Sequence, residues 1–260
     1  MQEDHIPKKS RGQHWLQDES TLEEICRTAN ILPTDTILEI GPGLGTLTKL
    51  LVQKAQSVVA VEVEDRLAAE LLTRVKADNL RVVNEDILQF DFTKLAPGYK
   101  LVANIPYYLT SNLIRTLSES TNSPQTATLL VQKEVAERLA ATPGKMSLLS
   151  VTAQFYWQVE LGQKVPAKLF IPPPKVDSQI VFLQSRTRPL FPEVDSKKYF
   201  QIVRAGYSQK RKTLLNSLSG GLAIPKEEII AILETAKIMP SARAQTLSLE
   251  DWYRLYRSAK

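Results

Sequence analysis

The sequence predicts an α/β protein, with a Rossmann-like parallel sheet followed by a small all-helical C-terminal domain. Three observations carry that expectation. Apolar runs of strand length alternate with helical segments through the first 185 residues. The first of these runs ends in a glycine-rich turn that opens a helix. Beyond Arg186 the strand-like runs stop and helical periodicity takes over. The expected domains are therefore 1–185 and 186–260.

Each element has its own signal. A basic arm, Pro7 to His14, shows no apolar periodicity. Ser20 or Thr21 is placed to cap a helix through about Leu32, with Leu22, Ile25 and Ala29 on one face. Pro33 ends it, and Thr36 to Ile40 reads as the first buried strand. Gly41 to Gly45 make a turn before a helix that opens at Thr46. Strands follow at Val58–Val63, Leu80–Val83, Leu101–Ala103 and Ala127–Val131, with helices at Arg66–Val75, Ser111–Leu117 and Glu134–Ala140 between and after them. Such spacing implies parallel pairing with right-handed crossovers. The apolar runs Leu148–Phe155 and Gln179–Leu183 are expected to complete the sheet. After the linker-like Arg186 to Pro192, helices are expected at about 196–206, 209–219, 225–235 and 248–258.

Bulk properties narrow the function classes. A chain of 260 residues, 43% hydrophobic and 23% charged, has the composition of a globular protein. Cys26 is the single cysteine, so no intrachain disulfide forms, and with only His5 and His14 beside it no metal site is expected. No stretch is apolar enough to span a membrane, and Met1 to Asp4 begin neither a signal nor a transit pattern, which points to the cytoplasm. From Arg186 onward there are 14 Lys/Arg against 7 Asp/Glu, whereas the first 185 residues hold 19 against 21. That asymmetry implies a polyanionic partner for the C-terminal part, or else a basic solvated face.

The turn Gly41-Pro42-Gly43-Leu44-Gly45 lets a ligand approach backbone closely at a helix N-terminus. Glu62, ending the next strand, is placed to accept both hydroxyls of a ribose. The spacing is not that of a dinucleotide site, and Glu39 directly before the turn would repel a pyrophosphate. A cofactor with a cationic centre and an amino acid tail fits better, namely S-adenosylmethionine. Asp86, after the third strand, is either an acceptor for the adenine amine or a turn cap. The stretch Asn104-Ile105-Pro106-Tyr107 combines a carboxamide oxygen, a backbone carbonyl fixed by proline and an aromatic face. It is either a receptor for a planar base with an exocyclic amine or a turn with a filler tyrosine. Phe170, beside the rigid Pro172-Pro173-Pro174 run, either closes the other face of that base or packs in the core.

Taken together, these motifs resemble the ribosomal RNA adenine dimethyltransferases, in particular the branch acting on the 3′-terminal hairpin of small-subunit rRNA. The resemblance spans nearly the whole chain. It rests on Lys8 to Leu16, Leu38 to Thr48, Asn104 to Tyr107, Gln132 to Val135, Phe170 to Ser178 and Ser208 to Leu218. It implies a class I S-adenosylmethionine-dependent methyltransferase acting as a monomer in the cytoplasm on rRNA within an assembling small subunit. The product would be N6,N6-dimethyladenosine at two adjacent positions. Cofactor contacts would fall on His14, Leu16, Gly41, Gly43, Glu62, Asp86 and Asn104. The amine would meet Asn104 and the Ile105 or Pro106 carbonyl, with the base stacked on Tyr107 and closed by Phe170. Arg204, Lys210, Arg211 and Lys212 are the candidates for phosphate contacts, against a solvated helix face. One stretch departs from the family pattern: Gly144 to Ser150 is short and lacks a Tyr-Gly pair, so no role is carried over from it. A related enzyme that methylates large-subunit rRNA shares the glycine turn and the Asn-x-Pro-Tyr core. The Lys210-Arg211-Lys212 stretch and the Phe170 to Ser178 run favour the small-subunit branch.

Overall fold

A computed structural model describes residues 14–188 and 190–259; the arm residues Pro7 to Gln13 lie outside the described residues. In chain order the elements are β1 (Trp15–Leu16), α1 (Glu19–Thr28), β2 (Thr36–Ile40), α2 (Thr46–Lys54), β3 (Ser57–Glu62), α3 (Asp65–Arg74) and β4 (Leu80–Asn84). Next come β5 (Lys100–Asn104), α4 (Thr110–Glu119), β6 (Thr126–Gln132), α5 (Lys133–Leu139), α6 (Leu148–Tyr156), β7 (Trp157–Val165), β8 (Phe170–Ile171) and β9 (Ser178–Ser185). The last four helices are α7 (Ser196–Tyr207), α8 (Leu214–Leu222), α9 (Lys226–Thr235) and α10 (Leu249–Ser258).

The chain forms two compact units. The first holds the described residues through Glu137 together with Trp157–Ser185, and the second holds Arg138–Tyr156 with Arg186 onward. The expected single division at 186 thus gains a discontinuous segment, residues 138–156. The reason is packing: Met146, Val151 and Phe155 share one buried cluster with Tyr199, Phe200, Leu214 and Trp252.

In the first unit seven strands order as β4-β3-β2-β5-β6-β9-β7. The five on the β4 side run parallel, while β9 is antiparallel to both β6 and β7. β2, β3, β5 and β6 are buried along almost their whole length, as strands covered on both faces must be. The strand order reverses between β2 and β5, so the crevice at the carboxyl ends of these two strands is the expected ligand site of an open α/β sheet.

Two expectations need correction. The run 148–155 is a helix, α6, and not a strand. Apolar and polar residues alternate from Leu149 to Phe155 as in a strand, yet here Ser147 and Ser150 cap a helix reciprocally, with Ser147 N–H donating to Ser150 Oγ at 2.6 Å and Ser150 N–H to Ser147 Oγ at 3.2 Å. The strand that completes the sheet is β7, an edge strand whose polar residues face out. Finally, the helix expected at 209–219 begins only at Leu214, leaving Lys210 to Lys212 on the turn after α7. The first N–H groups of α8 are taken by the carbonyls of Ala242 (2.7 Å) and Pro240 (3.4 Å), a tertiary cap that local sequence does not announce.

Candidate functional site

One pocket opens at the β2/β5 switch. His14, Leu16, Gly41, Gly43, Glu62, Asp86 and the whole Asn104 to Tyr107 turn line it together. The seven residues expected at the cofactor and four of the five expected at the acceptor therefore meet in one place. Phe170 does not. It is 1% exposed and packs in the core with Leu16, Leu22, Ile25 and Val165. Of its two readings in the sequence, the structure supports core packing, because β8 pairs with β1 and turns that ring inward beneath Leu16.

Glu62 ends β3 and organises the glycine turn. Its Oε2 accepts the Gly43 N–H at 3.2 Å and its Oε1 accepts the Glu64 N–H at 3.0 Å. Burial raises its pKa, and the backbone hydrogen bonds from Glu64 and Gly43 oppose that rise. Gly43 adopts φ +54°, and a Cβ there would stand 3.3 Å from the Trp15 indole nitrogen, so the turn and β1 close on each other only through glycine. At Gly45, φ +79°, a Cβ would meet Leu71 and Val75 at 2.8 and 2.9 Å, which lets α2 start flush against α3.

Glu39, used in the sequence only as a charge argument, proves to be a site residue. It is 1% exposed, it lines the pocket, and its Oε2 has no hydrogen-bond partner among the described residues. Burial pushes its pKa up to about 8; the Thr48 hydroxyl opposes the shift and the Glu62 carboxylate adds to it. A buried orphan acceptor on the wall of a pocket calls for a donor or a cation from a ligand. The signal in the sequence was its place, one residue before the end of the first strand. Trp15, which also lines the pocket, was missed inside the arm motif.

Asp86 accepts the Leu88 N–H through Oδ1 at 3.0 Å, so it caps its turn, and it also lines the pocket. On the acceptor side, Asn104 Nδ2 donates to the His14 carbonyl at 3.3 Å, which leaves Oδ1 as the acceptor for a substrate. The Pro106 carbonyl already accepts the Leu109 N–H at 3.0 Å, so the Ile105 carbonyl is the less burdened partner for a second amine hydrogen. Tyr107 is half-buried with its hydroxyl 2.9 Å from Ser178 Oγ. Burial raises its pKa against that hydrogen bond, and the phenol stays neutral.

Arg204 on α7 and Lys210, Arg211 and Lys212 on the following turn are all exposed and belong to the second unit. Among the described residues no group of three or more His, Cys, Asp or Glu could hold a metal, and no helix is long and apolar enough to cross a membrane.

The chain is 41% identical over 252 residues to a ribosomal RNA small subunit methyltransferase A of Dehalococcoides mccartyi, covering 95% of this chain and 87% of the relative. It is 40% identical over 267 residues to the protein of the same name in Moorella thermoacetica, covering 97% and 92%. Among solved structures, a dimethyladenosine transferase from Plasmodium falciparum superposes with a TM-score of 0.78 at 28% identity, over 93% of this chain and 96% of the other. The 23S rRNA methyltransferase ErmE superposes with a TM-score of 0.74 at 31% identity, over 94% and 98%. The fold is that of the class I S-adenosylmethionine-dependent methyltransferases. The profile of the ribosomal RNA adenine dimethylases matches residues 5–260, and the chain belongs to that family.

Proposed function

We propose that this protein transfers methyl groups from S-adenosylmethionine to N6 of two adjacent adenosines in the 3′-terminal hairpin of small-subunit rRNA, giving N6,N6-dimethyladenosine. The observation that carries the reading is the shared pocket. An Asn-Ile-Pro-Tyr turn, whose Asn104 carboxamide donates to the His14 carbonyl through Nδ2, opens onto the same cavity as the three carboxyl groups of Glu39, Glu62 and Asp86.

The residues present fit the cofactor. Glu62 suits the ribose diol, Asp86 the adenine amine, and the orphaned Glu39 oxygen a cationic group of the methionine end. When bound, S-adenosylmethionine supplies an electrophilic methyl group on sulfur. The chain itself has to deliver a poor nucleophile, because the lone pair of the adenine amine is delocalised into the ring. Asn104 Oδ1 and the Ile105 carbonyl accept its two hydrogens and fix the direction of the nitrogen. Tyr107 stacks on the extruded base, a contact worth about 1–3 kcal/mol. No side chain in the pocket is needed as a strong base, since the amine becomes acidic as it is alkylated. Catalysis on this reading is mostly positioning.

The exposed Arg204, Lys210, Arg211 and Lys212 bind the phosphates of the RNA, so the helical residues from 186 onward, with 138–156, dock the substrate while residues 1–137 and 157–185 hold the cofactor. The protein acts as a cytoplasmic monomer on the assembling subunit, without a metal or a membrane. The test is mass spectrometry of small-subunit rRNA that lacks these marks, after incubation with the protein and S-adenosylmethionine. Dimethyladenosine at two neighbouring positions is expected. The likeness to ErmE favours one second reading, methylation of a large-subunit adenine. Marks appearing on purified large subunits and not on small ones would overturn the first reading in its favour.

A further inference from the structure

The pocket holds one device that the roles above leave out: the way Tyr107 is held. It lies in a loop directly after β5, where an aromatic side chain free in two torsions would sample several rotamers. Two groups restrain it. Ser178, the first residue of β9 and 0% exposed, places its Oγ 2.9 Å from the Tyr107 hydroxyl. The His14 ring stacks on the Tyr107 ring with centroids 5.6 Å apart and planes 25° from parallel.

His14 is itself tied down. Its Nδ1 lies 2.7 Å from the Pro172 carbonyl, and since that oxygen only accepts, Nδ1 carries the proton. Its carbonyl accepts the Asn104 carboxamide at 3.3 Å. The two residues after it pair with β8, Trp15 opposite Ile171 and Leu16 opposite Phe170, and the Leu16 carbonyl accepts the Thr46 hydroxyl at 3.0 Å. The anchored ring covers one face of Tyr107, and both residues line the pocket.

We propose that His14 and Ser178 are positioning residues that clamp Tyr107, ring and hydroxyl, into the one orientation in which it receives the target base. His14 sets both members of the acceptor turn at once, Asn104 through its backbone carbonyl and Tyr107 through its imidazole. Ser178, which stands at the end of the Pro-rich run, couples that run to the turn. The clamp rests on the reading that Tyr107 stacks on the adenine.

The test combines kinetics with a direct measure of the tyrosine. S178A and Y107F remove the same hydrogen bond, so each lowers kcat about 2- to 10-fold, the range of one neutral hydrogen bond. KM for the RNA changes less than kcat, and S-adenosylmethionine affinity, read by calorimetry, is unchanged. The double variant is no slower than the slower single one, because both delete one interaction. In NMR relaxation of isotope-labelled tyrosine, the Tyr107 ring is less ordered in S178A and H14A than in the wild type. An S178A protein with wild-type kcat, or a Tyr107 ring equally ordered in all three proteins, overturns the clamp. If the wild type methylates no small-subunit rRNA, the functional reading fails on its own, and the ring measurement still decides whether Tyr107 is clamped.

Discussion

Glu39 and Glu62 stand on neighbouring strands, both buried, yet their surroundings differ. Glu62 is held by two backbone N–H groups, while one oxygen of Glu39 has no partner among the described residues. Burial pushes the pKa of Glu39 from 4.5 up to about 8. Below pH 4.5 the carboxyl is protonated whether the chain is folded or not. Between there and about pH 8 the unfolded chain gives up a proton that the folded protein keeps, so this group lowers stability as pH rises through that window. Replacing it in the ligand-free protein by the neutral near-isostere, Glu39→Gln, is expected to raise Tm by an amount that grows from pH 5 to pH 8, corresponding at pH 8 to a gain in unfolding free energy on the order of a few kcal/mol. Parallel melting curves across that range check it; a constant offset would show that the carboxyl is already ionised when folded. At this scale the sequence was informative where position alone decides a role. Glu62 and Asp86 stand at or just after strand ends, and both line the pocket as their positions led one to expect. Phe170 does not, because whether a ring faces a pocket or a core depends on a strand pairing, β1 with β8, only two residues long.

At the scale of elements, the helices of the second unit show how far sidedness and contact separate. α7 and α8 meet through glycine: a Cβ on Gly221 would stand 2.7 Å from the Ala205 Cβ and 2.8 Å from its Cα. A helical Gly→Ala change gains about 1 kcal/mol of propensity, but here the obstacle is backbone and cannot swing away. Gly221→Ala is expected to cost about 1–3 kcal/mol net. Its neighbour is the control. A Cβ on Gly220 meets only the Gln209 side chain, at 3.5 Å, so Gly220→Ala is expected to be neutral or stabilising by up to about 1 kcal/mol. Denaturant titration of the two variants separates the contributions. Strands with buried, β-branched runs and helices with a clear apolar face were legible from periodicity. α6 was not, since apolar and polar residues alternate from Leu149 to Phe155 in the pattern of a strand, and the packing of Val151 and Phe155 beside Tyr199, with the Ser147–Ser150 cap, selects helix. β7 was not, since an edge strand carries too few apolar residues to stand out.

For the whole molecule, the charge asymmetry read from composition finds a concrete place in the exposed turn after α7. The α8 N-terminus is already capped by the Pro240 and Ala242 carbonyls, so on the proposed reading Lys210, Arg211 and Lys212, and not the helix end, would supply the attraction to phosphate. Reversing all three charges is expected to weaken RNA binding and to flatten the dependence of log affinity on log salt by about 2–3. Cofactor affinity should be unaffected. Filter binding over a salt series checks it, and an unchanged slope would move the docking surface elsewhere. Composition announced the sign of the partner's charge but not the turn, whose boundary is set by a contact between residues 28 apart, Leu214 and Ala242. The discontinuity of the second unit has a further consequence, for how such a protein can be altered by recombination. Its core is assembled from two stretches of chain, 138–156 and 186 onward. A crossover at the 185/186 junction would hand a recipient four helices without Met146, Val151 and Phe155, leaving Tyr199, Phe200 and Trp252 with open space on one side. The C-terminal helices are therefore no transferable cassette.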